Sequence, residues 1–321
     1  MFTRLKSAFD PYILVLLGTV GLASLLPARG AAHAAFEWAA NAGIVLLFFL
    51  HGAKLSREAI VAGAGHWRLH LATLGTTFAL FPLLGLMIAA IPGLPPIVAG
   101  GMLFLTLLPS TVQSSIAFTS IARGNVAAAV CSASFSNIAG LVLTPLLAAW
   151  LMGGGGTGGG VHLTFDQVEK ILAQLLLPFV VGHLLRPLIG GFITRHKGLI
   201  GYADRGSILL VVYTAFSAAV TAGLWDKLPL RELALIVVLC VVLLGVALSA
   251  TWRLGSALGF ARADRIVLLF CGSKKSLASG VPIAGVLFAP SQVGEVLLPV
   301  MLFHQIQLMA CAMISRAMAE E

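Results

Sequence analysis

Apolar runs long enough to cross a bilayer recur from one end of this 321-residue chain to the other, and that recurrence leaves little choice of fold. About twenty predominantly apolar residues in helical form span the hydrocarbon core. Inside that core every backbone N–H and C=O must find a partner within the protein. The runs fall at 11–27, 36–53, 67–91, 96–122, 125–151, 165–187, 206–224, 230–252, 263–288 and 292–316. They predict an all-α polytopic membrane protein with ten transmembrane helices. Composition agrees, because 59% of the residues are hydrophobic and only 10% are charged, whereas a soluble domain carries roughly 25% charged residues. The net charge of +8 does not point to nucleic acid, since the basic residues sit singly at the ends of apolar runs, where they orient membrane helices. Cys131, Cys240, Cys271 and Cys311 each lie inside an apolar run without metal-ligand or redox spacing, as small packing residues do. The basic, then apolar, N-terminus could pass for a signal peptide; the repeat described next requires it as the first span.

Residues 153–160 read GGGGTGGG, a flexible linker rather than an element. They divide the chain into a first five-helix repeat, 1–152, and a second, 161–321. The two interrupted runs, fourth and ninth, hold matching places in the halves. Five spans is an odd number, so the second half enters the membrane from the opposite side, as in inverted-repeat transporters with a site near the midplane. With both termini in the cytoplasm, fourteen Lys and Arg residues fall inside and four outside: Arg29, Lys170, Lys227 and Arg231. Positive residues favour the cytoplasmic side, so the count supports ten spans in a bacterial cytoplasmic (inner) membrane.

The remaining two basic residues lie within a span. The ninth run reads RIVLLFCGSKKSLASGVPIAGVLF from Arg265, with Ser273, Lys274, Lys275 and Ser276 at its centre. A lysine at the bilayer centre costs at least ~2.5 kcal/mol, and such residues are functional candidates by default. The alternative, a short loop at the membrane surface, leaves flanking runs too short to span. The fourth run is broken by Pro109, Ser110, Thr111, Val112, Gln113, Ser114 and Ser115, with Thr119 one turn further. An ordinary proline kink backed by hydroxyls is the plain alternative here. A helix break exposes carbonyls with partial negative charge at one end and N–H groups with partial positive charge at the other. A lysine is favoured at the first, and the second, near Ser276, could face an anion. If the two breaks cross, Gln113, Ser114, Ser115, Lys274, Lys275 and Ser276 converge. Ser132, Ser136 and Asn137 of the fifth run and His304, Gln305 and Gln307 of the tenth could join them or serve as interhelical hydrogen bonds. No Walker loop, HExxH or paired carboxylates occur, so any pumping uses an ion gradient or none.

Four stretches carry a resemblance: HGAKLSREAIVAGAGHWRLHL from His51, LLPSTVQSSIAFTSIARGNVAAAVCSAS from Leu107, FCGSKKSLASG from Phe270 and FHQIQLM from Phe303. With them the chain resembles the bile acid:sodium symporter superfamily, solute carrier family 10, and within it the YfeH-like bacterial branch, whose eukaryotic relatives are associated with calcium homeostasis. The resemblance implies two inverted five-helix repeats, broken and crossing fourth and ninth helices, a core and a panel domain, and alternating access. It also implies a sodium site built from fourth- and fifth-helix hydroxyls and a ninth-helix Glu and Gln. By position the family serine falls on Ser115, its neighbouring asparagine on Ile116, the glutamate on Phe270 and the glutamine on Lys274. Hydroxyls remain near Ser115 and Ser132, but a carboxylate is lost and two ammonium groups are added. The expectation is a secondary transporter of an anionic or amphipathic solute, embedded in lipid, needing no cofactor, with sodium or a proton as coupling ion and Lys274 or Lys275 acting as a tethered cation. A membrane regulator of calcium or ion homeostasis, without a solute of its own, is the other reading.

Overall fold

The computed structural model describes residues 11–54, 64–153 and 172–320, all helix and short connections. The helices are α1 (Pro11–Leu25), α2 (Gly30–Lys54), α3 (Trp67–Ala89), α4 (Pro96–Leu107), α5 (Gln113–Ile121), α6 (Val126–Met152), α7 (Gln174–Arg195), α8 (Lys197–Thr221), α9 (Leu230–Ala257), α10 (Arg262–Gly272), α11 (Leu277–Leu287) and α12 (Pro290–Glu320). Among the described residues eight segments are long and apolar enough to cross a membrane, with α10 and α11 taken together as one; α1 and α4 are shorter apolar helices. The protein is a multi-pass membrane protein. Many large apolar side chains are exposed, among them Trp150, Leu188 and Val238, as a lipid-facing surface requires.

Helix ends follow local chemistry. Pro96 and Pro290 open α4 and α12, where a missing N–H costs nothing. Asn125 caps α6 by accepting the N–H of Ala128 at 3.1 Å. Both interrupted runs are broken as expected, between Leu107 and Gln113 and between Gly272 and Leu277. Several ends differ from expectation. α2 starts at Gly30 rather than 36 because the Ala-rich stretch before it favours helix without being strongly apolar. α8 starts at Lys197 rather than 206, carrying its polar first turns beyond the apolar run. The linker expected at 153–160 lies outside the described residues except for Gly153, whose N–H bonds the Ala149 carbonyl.

Two packed groups emerge. α2 lies against α7 and α8, with α1 beside α8. The α2–α7 contact is backbone to backbone: a Cβ on Gly52 would meet the Phe179 oxygen at 1.9 Å, and one on Gly182 the Phe49 oxygen at 2.0 Å. The second group gathers α3 to α6 and α9 to α12 around α10 and α11, whose residues are almost wholly buried. α8 bridges the groups through α12, where Gly294 leaves room for Ala219.

Candidate functional site: two helix breaks and two buried lysines

Pro109 has no N–H to continue α4, so the carbonyls of its last turn lose their intrahelical partners. Side chains from the rest of the chain take them up. Thr144 Oγ1 donates to the Leu107 oxygen at 2.8 Å, and Asn137 Nδ2 to the Ser110 oxygen at 2.9 Å. The Ser110 N–H donates to Ser136 Oγ at 3.0 Å. The Pro109 oxygen accepts the N–H of Ser276, 2.8 Å away in the other break. The oxygens of Thr106 and Leu108 both accept from Lys275 Nζ, at 2.8 and 2.7 Å.

A third acceptor for Lys275 comes from α3, for a separate reason. Residues 76–80 form a π-turn, in which the Phe81 N–H bonds the Thr76 oxygen. Continuing that register would require an N–H from Pro82, which has none. The Thr77 oxygen is thereby freed, and Lys275 Nζ donates to it at 2.9 Å. The ring of Phe81 lies 4.2 Å from the same ammonium. All three donors of Lys275 are filled, and its backbone is held as firmly. Its N–H donates to Gln307 Oε1 at 2.9 Å, and Gln307 Nε2 donates back to its carbonyl at 2.8 Å. Charge-assisted bonds of this kind contribute about 1.5–3 kcal/mol each, and together with the ring they replace the water the buried ammonium has given up. Carbonyl dipoles hold Lys275, and among the described residues no carboxylate pairs with it.

The second break is organised differently. Ser273 Oγ donates back to the Leu269 carbonyl, and the Phe270 oxygen accepts from Ser115 Oγ at 3.0 Å. Ser276 caps α11 by accepting the Ser279 N–H at 3.2 Å, and Ser279 Oγ donates to Asn137 Oδ1 at 2.8 Å. Gly272 allows α10 to touch α3, since a Cβ there would lie 2.6 Å from Thr76 Oγ1. Lys274 is as fully buried as Lys275 but far less satisfied. Its Nζ makes one hydrogen bond, 3.3 Å to Ser114 Oγ, and otherwise faces Phe118 at 4.5 Å and Phe270 at 5.6 Å. Ser114 in turn donates to Thr111 Oγ1 at 2.8 Å, which lies 3.0 Å from Ser115 Oγ.

A family model described as the SBF-like CPA transporter family matches residues 10–320. The chain belongs to that family. It is 55% identical over 97% of its length to "Uncharacterized protein PA2026" of Pseudomonas aeruginosa, covering 93% of that protein. It is 52% identical over 98% of its length to "Putative symporter YfeH" of Escherichia coli strain K12, covering 94% of it. A more distant relative, "Sodium/bile acid cotransporter 7" of Rattus norvegicus, is 25% identical over 83% of this chain and 78% of its own. The resemblance read from the four sequence stretches is therefore correct at the level of the family.

Within this SBF-like transporter, Ser110, Thr111, Ser114, Ser115, Ser136, Asn137, Lys274, Lys275 and Ser276 meet at the two breaks, with Ser273 folded back on α10. Gln113 does not join them; its side chain is exposed. Thr119 is buried with its hydroxyl unpartnered. Ser132 lies 2.8 Å from His70 Nδ1 instead of at the breaks. His304 touches Gln307, its Nδ1 being 2.9 Å from Gln307 Nε2, and Gln307 in turn holds the Lys275 backbone. Gln305, expected beside it, keeps a buried amide without a hydrogen-bond partner, and Gln307 takes the structural role. At the N-terminus of α11 Ser276 takes the Ser279 N–H, and the Leu277 and Ala278 N–H groups have no acceptor among the described residues. His70, Thr77, Thr106, Thr144 and Ser279 were not foreseen. Pro82 was the sequence signal for Thr77, because a proline inside an apolar run frees a carbonyl one turn earlier. Sodium does not fit this donor set. Ser115 and Ser132 are bonded elsewhere, Phe270 and Lys274 stand where the family's Glu and Gln are expected, and each ammonium at ~4 Å repels a cation by about 4 kcal/mol at an effective dielectric of 20.

Proposed function

We propose that this protein is a secondary transporter that moves an organic anion across the bacterial cytoplasmic membrane by alternating access, with Lys275 as a built-in cation where relatives bind sodium. The observation carrying the proposal is the ammonium of Lys275 at 2.7–2.9 Å from three carbonyls of two helices. That is a cation's coordination shell filled by a side chain. A membrane regulator without a solute gains nothing from two buried ammonium groups at paired helix breaks. On this reading the chain spans the membrane ten times as two inverted five-helix repeats, 1–152 and 161–321, joined by the linker at 153–160, with both termini in the cytoplasm. Each repeat supplies one broken helix, α4/α5 and α10/α11. The group α1, α2, α7 and α8 is the panel that moves against the core.

The test is current measurement on a solid-supported membrane carrying the reconstituted protein, during jumps of organic carboxylates in sodium or in potassium. Carboxylate-evoked currents of equal size in both salts are expected. A saturable requirement for sodium would overturn the tethered-cation reading. Silence toward every carboxylate from a correctly folded preparation would favour the regulator.

A further inference from the structure

Where α10 begins, the second helix group carries arginine and no lysine. Arg68 of α3, Arg123 after α5, Arg253 of α9, Arg262 and Arg265 of α10 and Arg316 of α12 lie at this end, and all but Arg265 are exposed. The bias of positive residues to one side of a membrane makes no distinction between the two side chains. The guanidinium fork does, because it can grip a phosphate with two parallel bonds. Contacts gather these residues about the turn between α9 and α10. Arg68 Nη2 donates to the Leu258 oxygen at 3.2 Å, and its guanidinium lies 5.9 Å from the Phe260 ring centre. Arg262 Nη2 donates to the Met318 oxygen at 2.7 Å, and Arg265 stacks 4.0 Å from the Trp252 ring centre, next to Arg253. The Asn125 N–H donates to the Ala263 oxygen at 3.2 Å, which brings Arg123 beside α10. Arg123 holds a left-handed φ of 59°, a conformation that glycine adopts at helix ends without steric cost. Asp264, the carboxylate beside these arginines, accepts from Asn125 Nδ2 at 3.0 Å. Arg123 and Arg253 have no hydrogen-bond or ion-pair partner among the described residues.

We propose that Arg68, Arg123 and Arg253, set about the α9–α10 turn, form a headgroup site for an anionic phospholipid. The lipid's phosphodiester accepts from the guanidinium groups. The face of α3 next to Arg68 shows how the rest of the lipid lies. Trp67 and Leu71 are exposed one turn apart on that face. Tryptophan favours the depth of the headgroups, and the exposed leucine beyond it meets the acyl chains. A soluble phosphate would leave that apolar step uncovered. The site is independent of the solute the protein carries. It attaches α3, the α5–α6 turn and the α9–α10 turn to the membrane surface, and it takes no residue from α1, α2, α7 or α8.

The test uses the purified full chain in a neutral detergent. Dioleoylphosphatidylglycerol is the probe, with dioleoylphosphatidylcholine and inorganic phosphate as controls at constant ionic strength. Phosphatidylglycerol raises the unfolding temperature saturably and the controls do not. A basic side chain near an anionic surface contributes about fivefold in affinity, so Arg68→Gln, Arg123→Gln and Arg253→Gln combined weaken the response about 100-fold. Arg195→Gln, Lys197→Gln and Arg205→Gln combined remove as much exposed charge from α7 and α8 and leave the response unchanged. Lysine at the three proposed positions keeps the charge but not the fork, and its response falls between wild type and the glutamine variant. A second readout leaves the arginines in place. Phosphatidylglycerol with brominated chains quenches tryptophan fluorescence more than brominated phosphatidylcholine does, and Trp67→Phe removes that excess. Equal stabilisation by phosphatidylcholine or by phosphate, equal loss in the two glutamine variants, a lysine variant indistinguishable from wild type, or an excess of quenching that survives Trp67→Phe would each overturn the assignment.

Discussion

Replacing Lys275 and replacing Lys274 have opposite consequences, although the residues are adjacent and equally buried. Lys275→Met removes the ion's desolvation cost, which is several kcal/mol. It also removes three bonds worth about 1.5–3 kcal/mol each and leaves the oxygens of Thr77, Thr106 and Leu108 unpaired in a dry interior, at about 1–3 kcal/mol apiece. Neither proline helix can re-form its ladder to take those oxygens back, so the loss wins, by about 3 kcal/mol. Lys274→Met removes a comparable desolvation cost but breaks only the 3.3 Å bond to Ser114, whose hydroxyl stays bonded to Thr111. Its effect is within about 1 kcal/mol, or stabilising. The assay is thermal unfolding in detergent, where the Lys275 variant melts on the order of 5 °C lower and the Lys274 variant melts near wild type. Chemical rescue sharpens the comparison. Lys275→Ala leaves space for propylammonium, which at a hundred times its dissociation constant returns about 2.7 kcal/mol, while tetramethylammonium at equal ionic strength returns nothing because it has no N–H. Equal melting of the two methionine variants, or no preference for propylammonium, would refute the idea that the carbonyl shell is held by that ammonium.

Gln307→Leu strands the N–H and C=O of Lys275, each at about 1–3 kcal/mol, so folded yield in detergent falls sharply, whereas Gln305→Leu, at an amide without partners, leaves yield and melting unchanged or improved. Gly52→Ala and Gly182→Ala place a methyl against backbone oxygens at 1.9 and 2.0 Å, and each lowers the unfolding temperature by forcing α2 and α7 apart, at about 1–3 kcal/mol or more.

The eight long apolar spans among the described residues and both breaks were legible because each rests on local chemistry: long apolar stretches, Pro109, and a Gly-Ser-Lys-Lys-Ser run that no lipid-facing helix tolerates. The convergence of Ser115, Asn137 and the lysines could be anticipated from the need to satisfy buried polar groups near one another. What could not be read was the division of labour. Which oxygens Lys275 would find depended on Pro82 and a π-turn in α3, a helix with no other polar signal strong enough to attract notice. The choice of Gln307 over Gln305 turned on helix rotation. Two residues apart means nearly opposite faces, and only tertiary packing decides which face meets the break. Capping divides the two second halves in the same way: Ser276 turns its hydroxyl back on the Ser279 N–H of α11, while the hydroxyls of Thr111, Ser114 and Ser115 at α5 bond one another.

A tethered cation changes what can drive transport. An exchangeable sodium ion contributes work because it enters from one side of the membrane and leaves on the other. An ammonium fixed to the chain makes no such journey. A partner bound equally well in two conformations shifts no equilibrium between them, however tight its bonds. Lys275, with every donor filled and its backbone clamped by Gln307, therefore stabilises the crossing without powering it. If transport proceeds by alternating access as proposed, the driving force has to enter through a group whose bonding differs between the two conformations. Among the polar groups at the breaks, Lys274 has the most unfilled bonding capacity and an accessible turn beside it. On the proposed transport reading, the gradient that matters is the one carried by whatever bonds to Lys274 in one conformation and not the other, the solute anion itself or a proton travelling with it. In a proteoliposome loaded with carboxylate, a pH step that changes counterflow in wild type but not in Lys274→Arg assigns the work to the proton. Counterflow indifferent to the step in both assigns it to the solute alone.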